Sequence, residues 1–179
     1  MKLLITNAVV FDPQSAYHRK QVDILISNGL IESIQLSSTK NNSNSSKVLD
    51  AKGASISPGF VDMRAALREP GYEFKEDLIS AANAASAGGY TSVCALPNTL
   101  PITQNKSDIE FIKQRGLELP VHLLPYGAVT KNTEGQEMNE LYDMKQAGAV
   151  AFTDGNKCLM HAGVMMRAML YSKIFGGLI

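Results

Sequence analysis

From Ile56 onward the chain alternates between short apolar runs and longer amphipathic ones, and this alternation limits what it can fold into. "SISPGFVDM" predicts a strand, followed by a helix over 76–89 with Leu78, Ala81, Ala82 and Ala85 on one face and Gly88-Gly89 as its stop. "YTSVCAL" predicts a second strand. The helix over 107–116 opens on Ser107 and Glu110 at capping-box spacing and closes on Gly116. "VHLLPYGAV" predicts a third strand and 134–148 a third helix, ending on Gly148. The short "AVAF" and a methionine-rich helix from about 159 to 175 complete a fourth unit. Strand-helix units in series imply parallel strands joined by right-handed crossovers. Both a doubly wound open sheet and a (β/α)8 barrel meet that requirement. A closed barrel typically takes about 250 residues and eight such units. The chain stops after four, on the apolar "YSKIFGGLI", and so reads as the N-terminal part of something longer or a truncated product.

The first 52 residues have a different rhythm. "LLITNAVV" and "VDILISNGLIESIQL" are β-branched runs, and Asn28-Gly29 between two of them is a strong hairpin signal. Residues 37–47, "SSTKNNSNSSK", are too polar to bury apolar surface and are expected to form a mobile loop. The Asn-x-Ser matches at Asn41 and Asn44 carry weight only on a secretory route. "VLDAKGASISPGF" resumes extended structure and leads into the second part.

Seventeen Lys and Arg balance seventeen Asp and Glu, so no charge excess points to nucleic acid or an anionic membrane. No apolar run approaches the roughly 18 residues of a membrane span. The start, "MKLLITNAVVFD", lacks a small-residue cleavage site and reads as a strand rather than a signal peptide. Cys94 and Cys158 are read as two reduced thiols of a cytoplasmic protein.

The stretches "ISPGFVDM", "LREPGYEFKEDL", "AGGYTSVCALPNTLP", "LLPYGAVT" and "AGAVAFTDG" cover most of residues 55–156, and together they resemble the N-terminal part of a dihydroorotase of the amidohydrolase superfamily. The combination of "LREPG" with "LPNT" is the specific part. The resemblance implies an α/β fold: part of a small β-sandwich over 1–52, then the first half of a (β/α)8 TIM-type barrel over 53–179. It implies pyrimidine biosynthesis, where the family reaction interconverts dihydroorotate and N-carbamoyl-aspartate. One or two zinc ions activate the attacking water, because Zn2+ can lower the pKa of bound water to about 7.

The chain departs from the family at the metal. Where the family places His-x-His at the end of strand one, this sequence has Arg64-Ala65-Ala66. Arginine offers no lone pair and alanine no ligand atom. Asp154 in "FTDG" corresponds to the family's strand-four carboxylate, and a catalytic zinc typically needs about three protein ligands. None of His18, His122 and His161 stands at a ligand position. No zinc or other cofactor is therefore expected in this chain, and no catalytic residue is assigned. By resemblance, Arg68 would grip a substrate carboxylate and Asn98 would hydrogen-bond the same ligand. The bland alternatives are a surface pair of Arg68 with Glu69 or another surface acid and a turn role for Asn98 beside Pro97. Arg64 is expected to pair with Asp154 in place of the metal, or else to turn out to solvent.

In these respects the chain resembles the non-catalytic dihydroorotase-like members that lack the metal-binding histidines. That resemblance implies a scaffold role for aspartate carbamoyltransferase as partner. A homo-oligomer is a further expectation, since half a barrel leaves strand edges and apolar helix faces uncovered. The alternative is a working zinc-dependent dihydroorotase, or another cyclic amidohydrolase, whose ligands lie outside this segment. A fragment with no function of its own is the third reading.

Overall fold

The computed structural model describes residues 2–37 and 47–179. The polar stretch expected to be a mobile loop, with Asn41 and Asn44, lies outside the described residues apart from its two ends. The chain divides into two compact units, Met1–Pro58 and Gly59–Ile179.

The first unit is a five-stranded sheet. Strands β1 (Lys2–Val10), β2 (Gln21–Ser27), β3 (Leu30–Leu36) and β4 (Lys47–Asp50) lie in the order β3-β2-β1-β4, and β5 (Ser55–Ile56) also pairs with β1. β2 and β3 form the expected hairpin. Asn28 and Gly29 both take positive φ, 51° and 79°, the combination that a two-residue turn needs to match strand twist. Val10, Val22 and Ile24 are buried, with Ile5, Tyr17, Ile34 and Ile56 packed against them. A register shift in β1 between Ile5 and Ala8 coincides with Asn7 at φ 57°. The Asn7 backbone N–H donates to the buried Asp23 carboxylate at 3.0 Å, and the Ser37 hydroxyl donates to the same oxygen at 2.6 Å.

The second unit is the first half of a (β/α)8 barrel. Strands β6 (Phe60–Ala65), β7 (Tyr90–Ala95), β8 (His122–Gly127) and β9 (Ala151–Phe152) run parallel in sequence order, forming one curled sheet. Helices α1 (Leu78–Ala87), α2 (Lys106–Gly116), α3 (Leu141–Ala147) and α4 (Ala162–Ile174) follow the strands in turn. Period-2 geometry separates the two faces of the sheet. Val93, Ala95, Val121 and Leu123 point to the helices, where they meet Leu78, Ala82 and Ile112 in one buried cluster. Ile109, Val129, Leu141, Met144, Phe152 and Ala168 form a second, under α2, α3 and α4.

Three elements differ from the sequence expectation. The first strand is split at Pro58-Gly59: Ser55–Ile56 joins the first unit, and the parallel sheet starts at Phe60. Proline cannot donate to a ladder, and a Cβ on Gly59 would overlap the Thr91 side chain. The cap of α2 lies two residues before Ser107. Asn105 accepts from the Asp108 N–H at 3.1 Å and Asp108 accepts from the Asn105 N–H at 3.1 Å, so the reciprocal box forms where its first side chain meets the first free N–H groups. The third helix begins only at Leu141, because the preceding backbone is engaged elsewhere. Lys131 N–H bonds to Glu137 O at 2.8 Å, Asn139 N–H bonds to Val129 O at 2.9 Å, and Gly135 takes φ 73°. Among the described residues no helix is long and apolar enough to cross a membrane.

Candidate functional site

In parallel strand-helix folds the loops after the strands build the functional site. Here those loops start at Ala66, Leu96, Ala128 and Thr153. Side chains of high sequence separation tie the last three together, and a backbone bond from Leu100 to Pro70 joins the first to the second.

Asp154, after β9, is 3% exposed. Its two carboxylate oxygens divide between the donors of a single residue: the Thr130 backbone N–H reaches Oδ1 at 2.9 Å and the Thr130 hydroxyl reaches Oδ2 at 2.5 Å. The Thr130 hydroxyl oxygen in turn accepts from the Gly135 N–H at 2.9 Å. A buried carboxylate needs donors or a counter-charge, and Thr130 supplies donors. The expected pairing of Arg64 with Asp154 is therefore not formed. The Arg64 Nη2 group instead donates to Asn156 Oδ1 at 3.2 Å, and the Arg64 backbone N–H donates to Asp62 Oδ1 at 2.8 Å. With Asp154 already satisfied, the guanidinium avoids the desolvation cost of following it inward and remains exposed.

Asn98, after β7, spends both ends of its amide on backbone. Nδ2 donates to the Asp154 carbonyl at 3.1 Å and Oδ1 accepts from the Asn156 N–H at 3.1 Å. It thus holds the loop after β9 against the loop after β7. The fit requires glycine at 155, since a Cβ there would overlap the Asn98 amide, and Gly155 takes φ 67°.

Residues 67–71, after β6, are the most firmly held part of the site. Glu69 is buried; Oε2 accepts from the Leu78 N–H at 2.9 Å, and Oε1 accepts from Arg115 Nε at 3.3 Å and Nη2 at 3.2 Å. One carboxylate therefore joins this loop to the start of α1 and the end of α2. Glu69 pairs with Arg115 and forms no bond to the Arg68 side chain among the described residues. Arg68 takes φ 69°, and among the described residues its guanidinium has no hydrogen-bond or ion-pair partner. Leu100 N–H bonds to Pro70 O at 2.9 Å, and Gly71, at φ 95°, lies so close to Leu100 that a Cβ would overlap its carbonyl oxygen.

On the face of the sheet away from the helices, Tyr126 reaches across β7, and its hydroxyl donates to the Met63 carbonyl at 2.8 Å. Burial, the adjacent Cys94 thiol and the charge of Asp62 push its phenol up to about 12, so it is a neutral donor at physiological pH.

These residues do not fit a zinc centre. Arg64 and Ala66 supply no metal-ligand atom, and among the described residues no group of three His, Cys, Asp or Glu could hold a metal ion. His161 Nδ1 accepts from the Val164 N–H at 3.3 Å as the cap of α4, His122 lies on β8, and the His18 ring sits 5.6 Å from Phe11. Cys94 is buried, Cys158 is exposed, and both are free thiols. The sequence reading did not find Thr130, Asn156 or Tyr126. The available signal was position: Thr130 directly follows the third strand run, where side chains at strand ends converge.

A family model described as dihydro-orotase-like matches residues 53–175. The dihydroorotase of Pelotomaculum thermopropionicum is 42% identical over 176 residues, covering 98% of this chain and 40% of the relative. That of Caldicellulosiruptor saccharolyticus is 40% identical over 176 residues, covering 97% and 40%. The chain thus spans about 40% of the length of these curated relatives. Among solved structures, the L-hydantoinase (dihydropyrimidinase) from Arthrobacter aurescens superposes with a TM-score of 0.79 at 23% identity, covering 98% of this chain and 39% of that one. A dihydroorotase crystal structure superposes with a TM-score of 0.60 at 14% identity, covering 98% and 49%. The structural likeness carries the half-barrel fold, and the sequence matches carry the family: this chain belongs to the dihydro-orotase-like family.

Proposed function

We propose that this is a catalytically inactive, cytoplasmic dihydroorotase-like protein of pyrimidine biosynthesis that serves as a scaffold for aspartate carbamoyltransferase. One observation carries the inactivity: the strand-one positions hold Arg64 and Ala66, neither of which offers a metal-ligand atom. Hydrolysis of a ring amide at neutral pH needs an activated water, and nothing at these positions supplies one. The residues that hold the loops together, Glu69, Gly71, Asn98 and Gly155, remain in place. A scaffold needs that framework and not the metal. The outer face of α4 supports the docking role: Met166, Met169, Leu170 and Ile174 are exposed, and methionine adapts to varied partners.

The test is a dihydroorotase assay on the native-length protein with zinc supplied, together with a pull-down of aspartate carbamoyltransferase. The expected result is no turnover above a no-enzyme control and retention of the transferase. Turnover would refute the inactivity, and failure to retain the transferase would refute the scaffold.

A further inference from the structure

A thiol, a thioether and an imidazole stand together on the connection between β9 and α4, as Cys158, Met160 and His161. From the first to the last, extended backbone reaches at most about 10 Å. All three residues are exposed, and their side chains line one surface cavity. Leu159, between them, turns the other way and packs against the buried cluster under α2, α3 and α4. Cys158 is a free thiol. His161 is engaged through Nδ1, which accepts from the Val164 N–H at 3.3 Å. That bond is dispensable, because the same N–H also donates to the His161 carbonyl at 3.0 Å. A Cβ at position 163 would lie 3.1 Å from the ring's Cε1, so glycine there leaves the ring room to turn from the cap into the cavity. Glu134 and Arg167 line the same cavity with opposite charges. They offset each other, and the thiolate is left as the charge that an entering cation meets.

We propose that Cys158, Met160 and His161 form a three-coordinate site for a soft monovalent cation, copper(I). Zinc takes thiolate, imidazole and carboxylate ligands, and among the described residues no three of these stand close enough to hold it. A thiolate beside a thioether selects copper(I) instead, and imidazole suits the same ion. Binding releases the Cys158 thiol proton to solvent, and His161 binds through one ring nitrogen as neutral imidazole, keeping its proton on the other. The site uses none of Glu69, Asn98, Thr130 and Asp154, which tie the strand-end loops together, so it holds whether or not the chain hydrolyses a ring amide.

Anaerobic titration of the full 179-residue chain with copper(I), in competition with the coloured chelator bathocuproine disulfonate, tests it. One copper(I) per chain is expected to leave the chelator, and equimolar zinc is expected not to displace it. C158S is expected to weaken binding by roughly a hundredfold or more, and M160L and H161N by roughly tenfold or more each. Asparagine keeps an N-cap acceptor, so H161N separates loss of the ligand from loss of the cap. C94S is expected to bind as the parent does, because Cys94 is buried on β7. The three ligand positions are exposed, so their variants are expected to fold, which circular dichroism verifies. X-ray absorption at copper is expected to show two sulfur ligands and one nitrogen. No copper(I) withdrawn from the chelator, displacement by zinc, or C158S binding as tightly as the parent would overturn the proposal. So would a loss confined to C158S with M160L and H161N unchanged, which would reduce the site to a lone thiol.

Discussion

Residues 64–66 and 67–71 are neighbours in sequence, yet the structure treats them differently. The second segment is bound into the framework: Glu69 is 8% exposed at its side chain and joined to both α1 and α2, and Gly71 leaves no space beside Leu100. The first segment faces the strand ends, where Arg64 makes one exposed side-chain bond and Ala66 is exposed. Positions that hold loops cannot change without a packing or hydrogen-bond cost. Positions that only present groups to a ligand can change with little cost to the fold, even when the change removes the chemistry. This is how a chain can hold "LREPG" in its framework while the positions immediately before it stay open to change.

Substitutions on either side of that boundary would break or sharpen the contrast. Gly71→Ala has the largest expected effect. It places a Cβ against the Leu100 carbonyl at a φ of 95°, and a loss of about 3 kcal/mol or more is expected in a denaturant titration. A loss below about 1 kcal/mol would show that the loop shifts freely and that the close approach is not a constraint. Glu69→Gln comes next. It keeps an acceptor for the Leu78 N–H and removes the charge that faces Arg115, so about 1–2 kcal/mol is expected. The lower part of that range is favoured because the Arg115 side chain is 47% exposed and partly screened by solvent. Raising the salt concentration should reduce the difference between Glu69→Gln and the parent. Arg64→Ala is expected to be the smallest, within about 0.5 kcal/mol by the same titration. A larger loss would make the bond to Asn156 a structural tie and erase the distinction between the two segments.

Much of the fold was legible in the sequence because it depends on local pattern. Alternating apolar strands and amphipathic helices separated by glycines require parallel crossovers, and Asn28-Gly29 specifies its hairpin through two positive φ angles. The expected 134–148 helix ends at Gly148 as expected but starts only at Leu141, because periodicity cannot show where backbone groups pair outside the helix. Here Thr130 bridges to Met138 and Asn139 bonds back to Val129. The cap of α2 moved two residues because Asn105 and Asp108 satisfy each other first.

The site divides along the same line. That residues 64 and 66 cannot ligate zinc was determined by the sequence alone, since donor atoms belong to residue identity and not to geometry. Which group satisfies Asp154 was decided only by the tertiary structure. Thr130 is 24 residues away, Asn98 bonds to Asp154 from 56 away, and Arg64 meets Asn156 from 92 away. Hydrogen bonds of such separation depend on which strand ends the sheet makes neighbours, and on which donor reaches the acceptor at the least desolvation cost. Arg64 was the only cation the sequence reading offered as a partner for Asp154. The fold placed two neutral donors of one threonine there instead, and left the arginine at the surface with most of its donors unspent.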